Sequence, residues 1–136
     1  MLAIALLASN FYVAPLEPSL APNAVMVARN LDLTSFQNSV GPRRRAGKKT
    51  PEDYGFIRID QVGSLATMTE KDGSWEITVT LISNDGPDAT ICFTDTALNG
   101  GSYRAQAALT VHRDLRDGLY RALPDRPVVP SCPAKP

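Results

Sequence analysis

The chain has 136 residues, 14 lysines and arginines against 14 aspartates and glutamates, 43% hydrophobic residues and 11 prolines. That is one domain's worth of sequence, too apolar for a wholly disordered chain and far too polar for a membrane bundle. Zero net charge argues against a dedicated nucleic-acid binder, and two cysteines with a single histidine exclude a zinc ribbon, a Cys2His2 site and any two-histidine metal motif.

Leu2 to Ala8 is an unbroken apolar run. A bilayer-spanning helix needs roughly 20 residues, so this run predicts no transmembrane segment. It resembles the hydrophobic region of a secretory signal peptide, although no basic residue precedes it and Pro22 directly follows the small-x-small site Ser19-Leu20-Ala21. A strand or short helix packed on the core is the competing account. Residues 1–24 are therefore read as a leader followed by an extended segment, in which Pro15, Pro18 and Pro22 prevent regular helix. The expectation is an exported chain, periplasmic or secreted.

A β-rich unit is expected over residues 25–123. Val25 to Leu33 is short and valine-rich, which predicts a strand. A long polar loop, residues 34–55, follows it. Phe56 to Val62 alternates, with Ile57, Ile59 and Gln61 opposing Phe56, Arg58, Asp60 and Val62. Gly63 then reads as a bulge or bend, with Ser64 to Thr69 continuing one long strand. Asp72-Gly73 supplies the positive φ of a tight hairpin turn. Trp75 to Ser83 places Trp75, Ile77, Val79 and Leu81 on one face. Asn84 to Asp88 is a second turn and leads into Ala89 to Asp95. After Asn99-Gly100-Gly101, Tyr103 to Val111 alternates again. Asp114 to Leu123 hints at a helix through Leu115, Leu119 and Leu123, against the cost of Gly118; a polar turn and short final strand is the alternative. The fold expected is mainly β: an antiparallel meander forming a small β-sandwich or open barrel, with at most one short helix near the C-terminus.

Residues 124–136 hold five prolines and Cys132. A disulfide to Cys92 would tether this tail in an oxidising compartment, closing a loop worth about 4 kcal/mol in the chain-entropy model. The competing account leaves both thiols free.

Chemistry is sparse. Five basic residues, Arg43, Arg44, Arg45, Lys48 and Lys49, fall within seven positions. Such a cluster matches phosphate, sulfate or carboxylate oxygens, so it is the candidate anion-binding site, with Arg29 or Arg58 as extensions. Its partner would be an anionic surface, an envelope component such as a lipid headgroup, a polyanion or an acidic protein face. The plainer account is a solvated loop, partly neutralised by Glu52 and Asp53. His112, at a strand end, has no nucleophile elbow to serve. The carboxylates Asp60, Glu70, Asp72, Glu76, Asp85, Asp88, Asp95, Asp114 and Asp117 are scattered, and nothing selects a pair. Trp75 and Tyr103 sit at apolar-face parity and are expected in the core rather than stacked on a sugar ring. No catalytic residue, metal site or cofactor is assigned. The leading reading is a small exported binding or structural module that contacts an anionic partner through its basic loop. The alternative is a small hydrolase using carboxylates, Asp95 among them, or His112. A third is one subunit of a larger assembly docking through a strand edge.

Overall fold

A computed structural model describes residues 22–37, 40–130 and 132. The apolar run Leu2–Ala8, Pro15 and Pro18 lie outside the described residues. The chain builds a helix, α1 (Ala24–Arg29), then 3-10 turns at Leu33–Ser35 and Glu52–Tyr54. Six strands follow: β1 (Phe56–Val62), β2 (Leu65–Glu70), β3 (Trp75–Asp85), β4 (Asp88–Ala97), β5 (Arg104–Arg113) and β6 (Tyr120–Ala122). They form one open antiparallel sheet in which every strand bonds its sequence neighbours, in the order β1-β2-β3-β4-β5-β6.

The alternation of β3 and β4 decides which face is buried. Ile77 and Val79 on β3 lie opposite Asp95 and Phe93 on β4, and next to Met68 and Ala66 on β2. All six side chains are fully buried. Successive strand residues point to opposite faces, so these positions share one inner face, and α1 packs across it over β1, β2 and β3. Phe36, from the loop expected to be polar throughout, adds an edge-to-face contact with Phe93 at 4.8 Å between ring centres.

Three local expectations are corrected. The segment from Val25 is helical, not extended, because Ala24, Val27, Ala28 and Leu31 bury one side at helical spacing. A strand there would have turned Arg29 to the same face as Val27 and Leu31. The Asn23 side chain accepts the Met26 N–H at 2.8 Å and caps the first turn. The one α-helix among the described residues is thus near the N-terminus, not the C-terminus.

Gly63 does not bend one long strand; it reverses the chain. Val62 pairs with Leu65 across a two-residue turn, and Gly63 takes the positive φ of 57° needed at its first position. The reversal shifts the inner face from odd positions (Ile59) to even ones (Ala66, Met68), a change of parity that a bulge would also make, which is why periodicity alone misses it. An irregularity between Phe56 and Arg58 resets the parity of β1, so that Phe56 and Ile59 both face the core while Ile57 is 54% exposed.

The helix hinted at Asp114–Leu123 is absent. Leu115 is 88% exposed, so the leucine spacing defines no apolar stripe. The Gly118 N–H bonds the Asp114 carbonyl and the Asp114 N–H bonds that of Leu119, closing a turn that delivers β6. Leu31 bridges Tyr120 in parallel and stitches the end of the helical segment to β6.

Cys92 and Cys132 are joined in a disulfide with 5.6 Å between Cα atoms. Cys92 and Thr94 occupy the outer face of β4 and are buried, so this central strand is covered on both sides. The approach to the bridge is held by the Thr110 hydroxyl, which donates to the Asp125 carboxylate at 2.9 Å, and by the Leu123 N–H on the Thr110 carbonyl.

Candidate functional site

The register across the sheet sets one carboxylate in an apolar row. Ile59 on β1 neighbours Met68 on β2, then Ile77 on β3, Asp95 on β4 and Ala105 on β5. Asp95 shares its inner-face parity with Ile91 and Phe93, and its residue is fully buried. Its Oδ1 accepts the indole N–H of Trp75. Its Oδ2 is buried with no hydrogen-bond partner among the described residues. Burial pushes the carboxyl pKa up, against the opposing pull of the Trp75 bond.

Asp95 lines a cleft of about 530 Å³. Trp75 opens β3, and Tyr103 precedes β5 with its carbonyl held by the Ala97 N–H at 3.0 Å. Their rings lie 5.4 Å apart, tilted by 37°, and both line the cleft. Trp75 is half-buried and also packs on the core as expected, but Tyr103 is 42% exposed. Burial raises the Tyr103 hydroxyl pKa, and the charge of Asp95 adds to the effect. Leu33, Phe36 and Val40 complete the apolar part of the lining.

The basic cluster divides. Arg43 and Arg44 line this same cleft. The Arg44 guanidinium donates to the Phe36 carbonyl at 2.8 Å, which ties it to the loop that carries the core aromatic. Arg43 and Arg44 form no ion pair among the described residues. The other three belong to the neighbouring 3-10 turn. The Arg45 N–H donates to the Tyr54 hydroxyl, and Lys48 Nζ lies 5.9 Å from the Tyr54 ring centre. The Lys49 and Thr50 N–H groups donate to the Asp53 carboxylate, and these bonds hold its pKa below the ordinary value. Arg29 lines a separate, smaller cleft of about 230 Å³ beside Phe56 and Ile59, and Arg58 is exposed on β1.

His112 faces Asp88 across the β4–β5 register, with Nδ1 2.5 Å from Oδ1, and the pair is largely exposed. Asp88 and Asp95 are seven residues apart on one strand, about 23 Å at an extended rise. The imidazole therefore cannot serve Asp95. Asp114 and Asp117 are gathered elsewhere, around Arg121. Among the described residues, no three His, Cys, Asp or Glu side chains are grouped to hold a metal.

The five residues that converge, Arg43, Arg44, Trp75, Asp95 and Tyr103, are scattered over four stretches of the chain. One signal in the sequence pointed to them: Asp95 follows Ile91 and Phe93 at the same parity, a carboxylate where an apolar residue belongs. No family model, curated protein or solved structure matches this chain.

Proposed function

We propose that the protein is an exported binding module that takes an anionic ligand in the cleft between Arg43, Arg44 and the Trp75–Tyr103 pair. The observation that carries this reading is Oδ2 of Asp95, buried and without a hydrogen-bond partner among the described residues. A buried polar atom without a partner costs stability unless a ligand or water satisfies it. Burial pushes the Asp95 pKa up, so the protonated form, which can donate a hydrogen bond, persists to higher pH than in an exposed carboxylate. Two guanidinium groups against one carboxyl leave the lining net positive in either protonation state of Asp95.

The catalytic alternative has less support. Asp95 is the one carboxylate lining the cleft among the described residues, and glycoside hydrolysis needs two. Export is supported by the Cys92–Cys132 disulfide, since such bonds persist in oxidising compartments. No helix among the described residues is long and apolar enough to cross a membrane.

Trp75 is the only tryptophan, so its fluorescence reports directly on the cleft. Titration with a polyanion should change that emission. Replacing both Arg43 and Arg44 with serine should weaken binding about tenfold or more, the loss expected for charge-assisted bonds. Serine at Arg45, Lys48 and Lys49 should leave it within about threefold once salt screens the long-range field. Equal losses in the two variants would return the whole loop to the role of a diffuse charged surface. No loss in either would sink the anionic ligand.

A further inference from the structure

We infer that the ligand of this cleft is an acidic sugar, a pyranose ring bearing a carboxylate of the uronic-acid type. The inference rests on the anion-binding role proposed above and adds the chemistry of the rest of the molecule. Three features of the lining each match one part of such a ring.

The first is the cationic group. Arg44 already spends part of its guanidinium on the Phe36 carbonyl, whereas Arg43 forms no ion pair among the described residues. One fully available planar fork suits a monoanionic, two-oxygen carboxylate.

The second is the aromatic wall. Trp75 and Tyr103 are tilted against each other at 5.4 Å, so no flat ring can enter between them. What they offer is an outer apolar surface, which the C–H face of a pyranose can cover. Tyr103 is exposed enough to be covered in this way.

The third is the polar contact at the base. Trp75 occupies Oδ1 of Asp95, and Oδ2 lies buried under the cleft floor without a partner among the described residues, so a ligand has one atom to meet there once the floor opens to it. A nucleobase edge presents a donor and an acceptor side by side and needs two points. A sugar hydroxyl donates and accepts through one atom and is met by one. At about 530 Å³, the cleft falls within the range of small-molecule sites, about 300–1,000 Å³.

The test uses the full-length, oxidised chain and Trp75 emission. Trigalacturonic acid, its methyl ester and inorganic phosphate are titrated in parallel at fixed ionic strength. The acid should bind, and the ester and phosphate should each bind about tenfold or more weakly. Arg43→Ser and Tyr103→Ala, both at exposed positions, should each weaken the acid about tenfold, with unchanged melting curves as the check on folding. Phosphate binding as tight as the acid, with Tyr103→Ala silent, would overturn the sugar and leave the anion site standing. Equal binding of acid and ester would overturn the anion reading itself. No response to any of the three would overturn the sugar assignment alone if another polyanion still binds, and both readings if none does.

Discussion

Two groups of carboxylates in this molecule meet opposite fates. Around Arg121, Asp32, Asp114 and Asp117 each place an oxygen within 3.2 Å of a guanidinium nitrogen. The Arg116 guanidinium and N–H, with Arg121 behind them, hold the Asp114 pKa down at about 2 from an ordinary 3.8. The Arg121 side chain and the Leu119 N–H lower that of Asp117. Asp95 has two arginines lining its own cleft and is paired with neither. Its pKa moves the other way. A carboxylate that is fully paired fastens one part of the fold to another, here the turn after α1 to β6. A buried carboxylate left half-satisfied among the described residues fastens nothing, and the proposed ligand cleft is built over it.

The largest expected effect breaks the fastened region. Asp32 is buried, accepts the Thr34 N–H at 3.0 Å and pairs with Arg121 at 3.1 Å. Asp32→Ala removes a cap and leaves these donors short of an acceptor, for a loss of about 2 kcal/mol in urea unfolding. A loss too small to measure would mean that the cluster is ornamental and that the contrast with Asp95 has no energetic content.

A smaller effect of opposite sign is expected at the cleft. With its folded pKa raised, Asp95 contributes stability that is fully present below 3.8 and is lost as pH rises through the folded value. Asp95→Asn keeps an oxygen for the Trp75 N–H and removes the ionisable group. The variant should match the parent in acid and be the more stable of the two at neutral pH, the gap widening as pH rises through the folded value. A gap that does not grow with pH would show that Asp95 ionises without penalty, and that the free Oδ2 is solvated.

The smallest effect sharpens the comparison on the acid side. Asp114 and Asp117 have lowered pKa values, so their contribution is fully present above 3.8 and fades as pH falls, for Asp114 through about 2. Arg121 contributes most to the lowering at Asp117 and least to that at Asp114, so Arg121→Met should melt below the parent at pH 5, and the difference should narrow as pH falls below 3.8 and Asp117 protonates. A constant difference would assign the role of Arg121 to packing of its alkyl stem.

The strands were legible because period-two alternation with β-branched residues is a local signal, and β3, β4 and β5 follow it closely. The hairpin at Gly63 was not, because a two-residue reversal moves the inner face from odd positions (Ile59) to even ones (Ala66, Met68), the same change of parity that a bulge makes, and only pairing tells the two apart. Val25 to Leu33 was misread for a related reason. Its valines favour a strand locally, but burying Ala24, Val27, Ala28 and Leu31 against the sheet is worth more than that preference. The basic run was visible as a run, yet only Arg43 and Arg44 line the cleft, and Trp75 and Tyr103 looked like core residues by parity alone.

The sequence by itself determined the faces of β3 and β5, the polar turns, the disulfide partners and the existence of a cationic loop. Each of these depends on residue types at short spacing, or on there being only two cysteines to pair. Only the tertiary structure decided that Asp95 stands in an apolar row beside Trp75 and Tyr103, and that two arginines from a distant loop line the same cleft. Strand register and loop placement set those neighbours. Both come from how elements far apart in the chain share one buried face, and no window of sequence contains that information.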